Sequence, residues 1–235
     1  MRILLLLAAT LLMPLVAEEK LGTLVFSDDF ERHETQSLVD EPGNGWNTSS
    51  SWSAKNHKEV DLVDGALYIH IHPEAIHPVD VGHAFVFIDG TARMKFKFHE
   101  DKDTLMLNFA DLGCKEVHAG HLCAAIFAPT KVTLQDMKTG SMLLKYYDGR
   151  KAGTLTKEDE ALLKTKQKVF PCTTSVGEWH ALSVTILGDT MTASVDGTLI
   201  GSFSSPGIAH ESKQVLRLLV SNKITIDDVM YYRLK

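Results

Sequence analysis

Two cysteines and two histidines fall within eleven residues in GCKEVHAGHLC, positions 113–123. Cys114, His118, His121 and Cys123 are zinc-ligand types, but the paired CxxC and HxxxH spacing of finger modules is missing. A Cys114–Cys123 disulfide is the expected reading, because the chain reads as exported and a hairpin-like loop can bring two Cα atoms within the ~4.4–6.8 Å that such a bond needs. Cys172 is then the odd thiol, and its pairing with either of the other two is a rival. Free buried cysteines are a third reading. If the cysteines are joined to each other, the histidines are released for other work. Gly120 then allows close approach of a ligand to the His118–His121 loop, and Asp111 stands just before it to orient one imidazole.

Histidine is the enriched polar type, with eleven in the chain. His70 and His72 stand at i and i+2, so on a strand both leave the same face, beside Tyr68. His77 and His83 follow in PEAIHPVDVGH, and His99 ends the next strand. The expected site is therefore His118, His121 and Asp111 as acid/base groups, with Tyr68, His70 and His72 as ligand contacts from the same cleft. The competing reading makes these histidines a wet sheet face. Trp46 and Trp52 flank the Ser-rich NTSSS loop and are expected to stack on a ligand, whereas Trp179, which starts a strand, is expected in the core. Asn47-Thr48-Ser49 matches a glycosylation sequon.

The elements that must position these residues have a period of two. ALYIHIH (66–72), TARMKFKFH (91–99), TLMLNFA (104–110), KVTLQD (131–136), WHALSVTIL (179–187), TMTASVDG (190–197) and ITIDDVMYY (224–232) all alternate. Turn pairs such as Asp64-Gly65, Asp89-Gly90 and Asp196-Gly197 bound them. Roughly a dozen such strands make an all-β chain folded as a two-sheet antiparallel jelly-roll sandwich. One segment departs from the pattern. TKEDEALLKTKQK (156–168) has Thr156 as N-cap, acids in its first turn and lysines in its last, which predicts one short inserted surface helix.

MRILLLLAATLLMPLVA has the charged, apolar and small-residue layout of a secretory signal ending near Ala17, although Leu15 is large for its position. Its apolar run falls short of the ~20 residues that a spanning helix needs. The expectation is a signal at 1–17 and a single exported jelly-roll domain at 18–235, secreted or periplasmic. The net charge of −6 and the lack of any basic block argue against nucleic acid as a partner.

The C-terminal third, GEWHALSVTILGDTMTASVDGTLIGSFSSPGIAH followed by QVLRLLVSNKITIDDVMYYRLK, resembles the closing half of concanavalin A-like jelly rolls, laminin-G-type modules included. It also resembles 3-keto-disaccharide hydrolase-like domains exported by environmental bacteria. FSDDFER (26–32), GW (45–46), Trp52 and VDGALYIH (63–70) are similar to the usual opening of those domains. The resemblance implies a glycan or small sugar as partner, recognised or processed, the alternative being a structural or adhesive surface module. A laminarinase-type glycosidase would carry a Glu-x-Asp-x-x-Glu strand, and none is present. The hydrolase-like resemblance implies instead an acid/base group that abstracts a proton beside a ketone. No cofactor follows from it.

Overall fold

The computed structural model describes residues 21–235, so the signal and cleavage site expected near Ala17 lie outside the described residues. The chain opens with β1 (Thr23–Asp28), the short β2 (Asn47–Thr48) and a single helical turn, α1 (Ser50–Ser53). Five strands follow before the large insertion: β3 (Val60–Val63), β4 (Ala66–His70), β5 (Val79–Phe87), β6 (Gly90–Lys97) and β7 (Leu105–Ala110). β8 (His121–Ala128) and β9 (Lys131–Asp136) lead to helices α2 (Leu144–Ala152) and α3 (Lys157–Thr165), then β10 (Gln167–Pro171). The remaining strands are β11 (His180–Leu187), β12 (Thr190–Val195), β13 (Thr198–Ser204), β14 (Lys213–Val220) and β15 (Lys223–Arg233).

These strands form two antiparallel sheets, the jelly-roll sandwich that the alternation implies. Sheet A runs β13-β12-β11-β6-β15-β4-β3, with β1 also on β15; sheet B runs β10-β9-β8-β7-β14-β5-β2. One parity of each strand faces the space between the sheets. Leu67 and Ile69, Met94 and Phe96, Leu107 and Phe109, Val184 and Ile186, Leu216 and Leu218, and Ile224 and Ile226 are all buried there in one apolar cluster. Removing one such Phe side chain typically costs ~3–5 kcal/mol, because the close-packed interior does not refill the void.

Turn chemistry sorts the connections. Asp64 and Gly65 have φ of 52° and 74°, and Asp196 and Gly197 have 50° and 74°. Positive φ at both central residues is the type I′ geometry whose twist matches a two-residue hairpin. Asp89-Gly90 is a turn between sheets: it carries the chain from β5 in sheet B to β6 in sheet A. The expected helix is α3, closed by a reciprocal capping box between Thr156 and Asp159. The sequence reading lacked α2, which Gly153 terminates in the left-handed region, and the edge strand β10.

Candidate functional site

The two histidine pairs do not converge. His70 ends β4 and His72 follows it in sheet A, while His118 and His121 belong to the β7–β8 loop and the start of β8 in sheet B. The single cleft expected from parity is therefore corrected, because parity fixes the face within a sheet but not which sheet a strand joins. His72 stacks on His57 at 3.9 Å, and Tyr68 stacks on His70 at 5.3 Å.

Asp111 is likewise corrected. Its carboxylate accepts from His210 Nε2 at 3.0 Å and from the Gly113 amide at 2.7 Å, and its bonds are not to His118 or His121. Lys138 Nζ lies 2.9 Å from the other nitrogen of His210, so Asp111 ties three loops together at one end of the sandwich. The His210 contact and two backbone amides hold its carboxyl below the usual carboxylate range, against the opposing effect of burial.

The cysteines are also corrected: Cys114, Cys123 and Cys172 are all free thiols. Cys123 points into the core between the sheets, where burial pushes its thiol up to about 12, and Cys114 packs only against the margin of that core. With Cys123 turned inward, the four-ligand zinc set is not assembled either. Among the described residues no three His, Cys, Asp or Glu side chains group as metal ligands.

Two tryptophans exchange their expected roles. Trp46 is 6 % exposed and its indole N–H donates to Asp28 Oδ2 at 2.7 Å, so it is a core residue. Trp179 is 43 % exposed rather than buried, and Trp52 is 58 % exposed.

The polar row that does form crosses the outer face of sheet B. Register places Gln167, Gln135, Ala124, Asn108, Arg217, Gly82 and Asn47 side by side, one from each of the seven strands. Two positions along the strands, the parallel row is Val169, Thr133, Ile126, Met106, Leu219 and Asp80. A polar rung thus lies beside a largely apolar one, with the small residues Ala124 and Gly82 keeping the polar rung low.

Hydrogen bonds fix the central members. Asn108 donates its amide to Cys123 O and the Met137 sulfur, so its Oδ1 is the acceptor facing His121 Nδ1 at 2.6 Å. His121 therefore carries its proton on Nδ1 and keeps the Nε2 lone pair. Burial above all, then the charge of Arg217, moves its pKa down to about 4, so the ring is neutral near pH 7. Arg217 Nε lies 3.6 Å from Asp80 Oδ2, and its Nη1 donates to Ala119 O at 3.1 Å. Asp80 is raised above the ordinary carboxylate value, because desolvation outweighs Arg217 and His77.

The rim is aromatic. His118 lies flat on Tyr147 of α2 at 3.8 Å, and exposed Trp52 of α1 meets His77 at 5.2 Å. Of the expected residues, this face holds His118, His121 and Trp52. Asp80, Arg217, Asn108, Gln135 and Tyr147 were missed. Arg217 had a sequence signal, as the one charge inside the apolar QVLRLLV.

No protein-family model matches the chain, and no curated protein matches it. Solved structures do. A Bacillus licheniformis β-glucanase superposes with a TM-score of 0.58 at 10 % identity, over 90 % of this chain and 98 % of that one. SCLam, a non-specific endo-β-1,3(4)-glucanase from family GH16, gives 0.57 at 15 % identity, over 89 % and 90 %. Carbohydrate-binding module CBM66 from Bacillus subtilis gives 0.51 at 9 % identity, over 80 % and 95 %. At these identities the likeness is one of fold.

Proposed function

We propose that this concanavalin A-like jelly roll recognises a saccharide on the outer face of sheet B. The observation that carries the reading is the seven-strand polar rung that presents Arg217 and Gln135, with Asn108 buried between them, lying beside an apolar rung. A sugar ring presents C–H faces and a rim of hydroxyls, and so needs apolar floor, donors and acceptors within one site. Met106, Leu219 and Ile126 supply the floor, while Gln135, Arg217 and His121 supply the polar groups, His121 being held by the buried Asn108. Trp52 closes the rim. The folds it shares belong to proteins named for glucan cleavage and carbohydrate binding, which supports the same partner class.

The chemistry of the face narrows what processing it would do. Acid/base glycosidases need two carboxylates ~5–9.5 Å apart. Among the outward positions of the sheet B strands the one carboxylate is Asp80. Cleavage of a 3-keto-disaccharide asks for a different set. His121 Nε2 takes the proton from the carbon beside the ketone, a slow step for a base whose pKa is about 4, and the electron pair moves onto the ketone oxygen, which Arg217 stabilises. The resulting enolate expels the glycosidic oxygen, which takes the proton back from the His121 imidazolium, and water then adds to the unsaturated sugar. A non-catalytic binding module is the second reading, favoured by that same shortage of carboxylates.

Calorimetry of the described domain against gluco- and galacto-oligosaccharides tests recognition. Arg217→Gln and Trp52→Ala should each weaken binding tenfold or more while leaving Tm within a few degrees. Binding unaffected by either would remove sheet B from the account. Incubation with 3-keto-disaccharides, read by mass spectrometry, separates the two readings: monosaccharide products lost in His121→Ala support catalysis, and none with wild type leaves the binding module.

A further inference from the structure

The outer face of sheet A carries a second arrangement, independent of the first. Register places Tyr68 of β4, Thr225 of β15 and Lys97 of β6 in one row, and Trp179 extends it from the residue before β11. Val63, Asp64, His99 and Lys223 complete a cleft of about 570 Å³ between Tyr68 and Trp179. Its floor is tied down: His99 Nε2 meets Thr225 Oγ1 at 2.8 Å, and Tyr68 packs edge-on against His99 at 5.5 Å.

Trp179 is held outward rather than left loose. The Gly177 amide donates to Phe98 O at 2.8 Å on one side of it, and on the other His180 contacts Asp196 at 2.6 Å and Ser175 Oγ at 2.8 Å. A large apolar ring kept in water by anchors on both sides is pre-ordered for a partner, because the ordering cost is met before binding. The charges beside it differ in availability. Lys95 is paired with Asp228 at 2.5 Å and Lys223 with Glu100. Among the described residues the contact of the Lys97 ammonium is with the Trp179 ring, 5.0 Å from its centre.

We propose that this cleft is a saccharide subsite for a uronate, a sugar ring carrying a carboxylate, stacked between Trp179 and Tyr68 with its acid group on Lys97. A ring that takes the ammonium's place over the indole deprives Lys97 of its contact, and only a sugar with an anionic edge gives it a stronger one. Asp64 and Thr225 remain for the hydroxyls.

Digalacturonate and neutral galactobiose, each titrated into the domain and read by tryptophan fluorescence and calorimetry, test this. The expected result is digalacturonate binding that weakens at least tenfold in Trp179→Ala and about fivefold in Lys97→Gln, falls with added NaCl, and is unchanged in Arg217→Gln. Trp179 is exposed, so its loss should leave Tm unchanged, and Lys97→Gln keeps the stem and removes the charge. Equal binding of galactobiose, or digalacturonate binding indifferent to Trp179→Ala, overturns the proposal, as does no binding. Loss in Arg217→Gln alone overturns it too, while supporting the site on sheet B.

Discussion

His121 is buried, donates its only ring proton to Asn108 and lies near Arg217, His118 and His77, so it resists a second proton down to about pH 4. An unfolded histidine has no such difficulty and takes its proton near pH 6.5. Between those values the unfolded chain binds more protons than the folded one, so stability is present above pH 6.5 and is lost as pH falls toward 4. The loss is at most ~3 kcal/mol, at ~1.4 kcal/mol per pH unit. Denaturant unfolding from pH 7 to 4 should therefore show a flatter profile for His121→Gln than for wild type; parallel profiles would mean that His121 is not held neutral. The tryptophans show how much of this scale was legible. Their apolar bulk was visible, but the fate of each depends on one distant partner: Asp28 buries Trp46, and the anchors at Phe98 and Asp196 keep Trp179 out. Contacts sixteen or more residues apart leave no local pattern to read.

Elements were legible where their ends are chemically marked. Thr156 and Asp159 exchange cap bonds around the start of α3, and both partners lie within four residues of sequence. Thr156→Ala should cost ~1 kcal/mol and fray that helix, seen as a Tm decrease of a few degrees and faster amide exchange over 157–160. α2 begins after Leu143 without a side-chain cap, so its start had no such mark. The short α1 depends on a residue outside itself. Glu59, fully buried, accepts from Ser50 Oγ at 2.9 Å, Ser53 Oγ at 3.4 Å and the His72 amide at 2.9 Å. Glu59→Ala leaves three donors without that acceptor and should cost ~2–4 kcal/mol by chemical denaturation. Because α1 presents Trp52, the same change should also weaken any sugar binding on sheet B, and unchanged affinity in a folded variant would break that link.

At the scale of the whole molecule, alternation was enough for a two-sheet sandwich, since it names one buried face per strand. It does not say which strands share a sheet, and that is why His70 and His121 ended in different ones. The free cysteines follow from the same assignment, with Cys123 on the inward parity of β8. A thiol reagent added to folded protein should leave Cys123 unmodified until denaturant is present, and reductant should not change Tm; a Tm drop on reduction would restore the disulfide. The strand order has a further consequence. β14 lies between β7 and β5 inside sheet B, and β15 lies between β6 and β4 inside sheet A. Both come from residues 213–233, later in the chain than every strand they join. Before residues 213–233 are in place, β4 and β6 have nothing between them, and neither do β5 and β7, so neither sheet can be completed. Completion of each sheet therefore waits on one late segment, so strand-by-strand folding from the N-terminal side is closed to this topology.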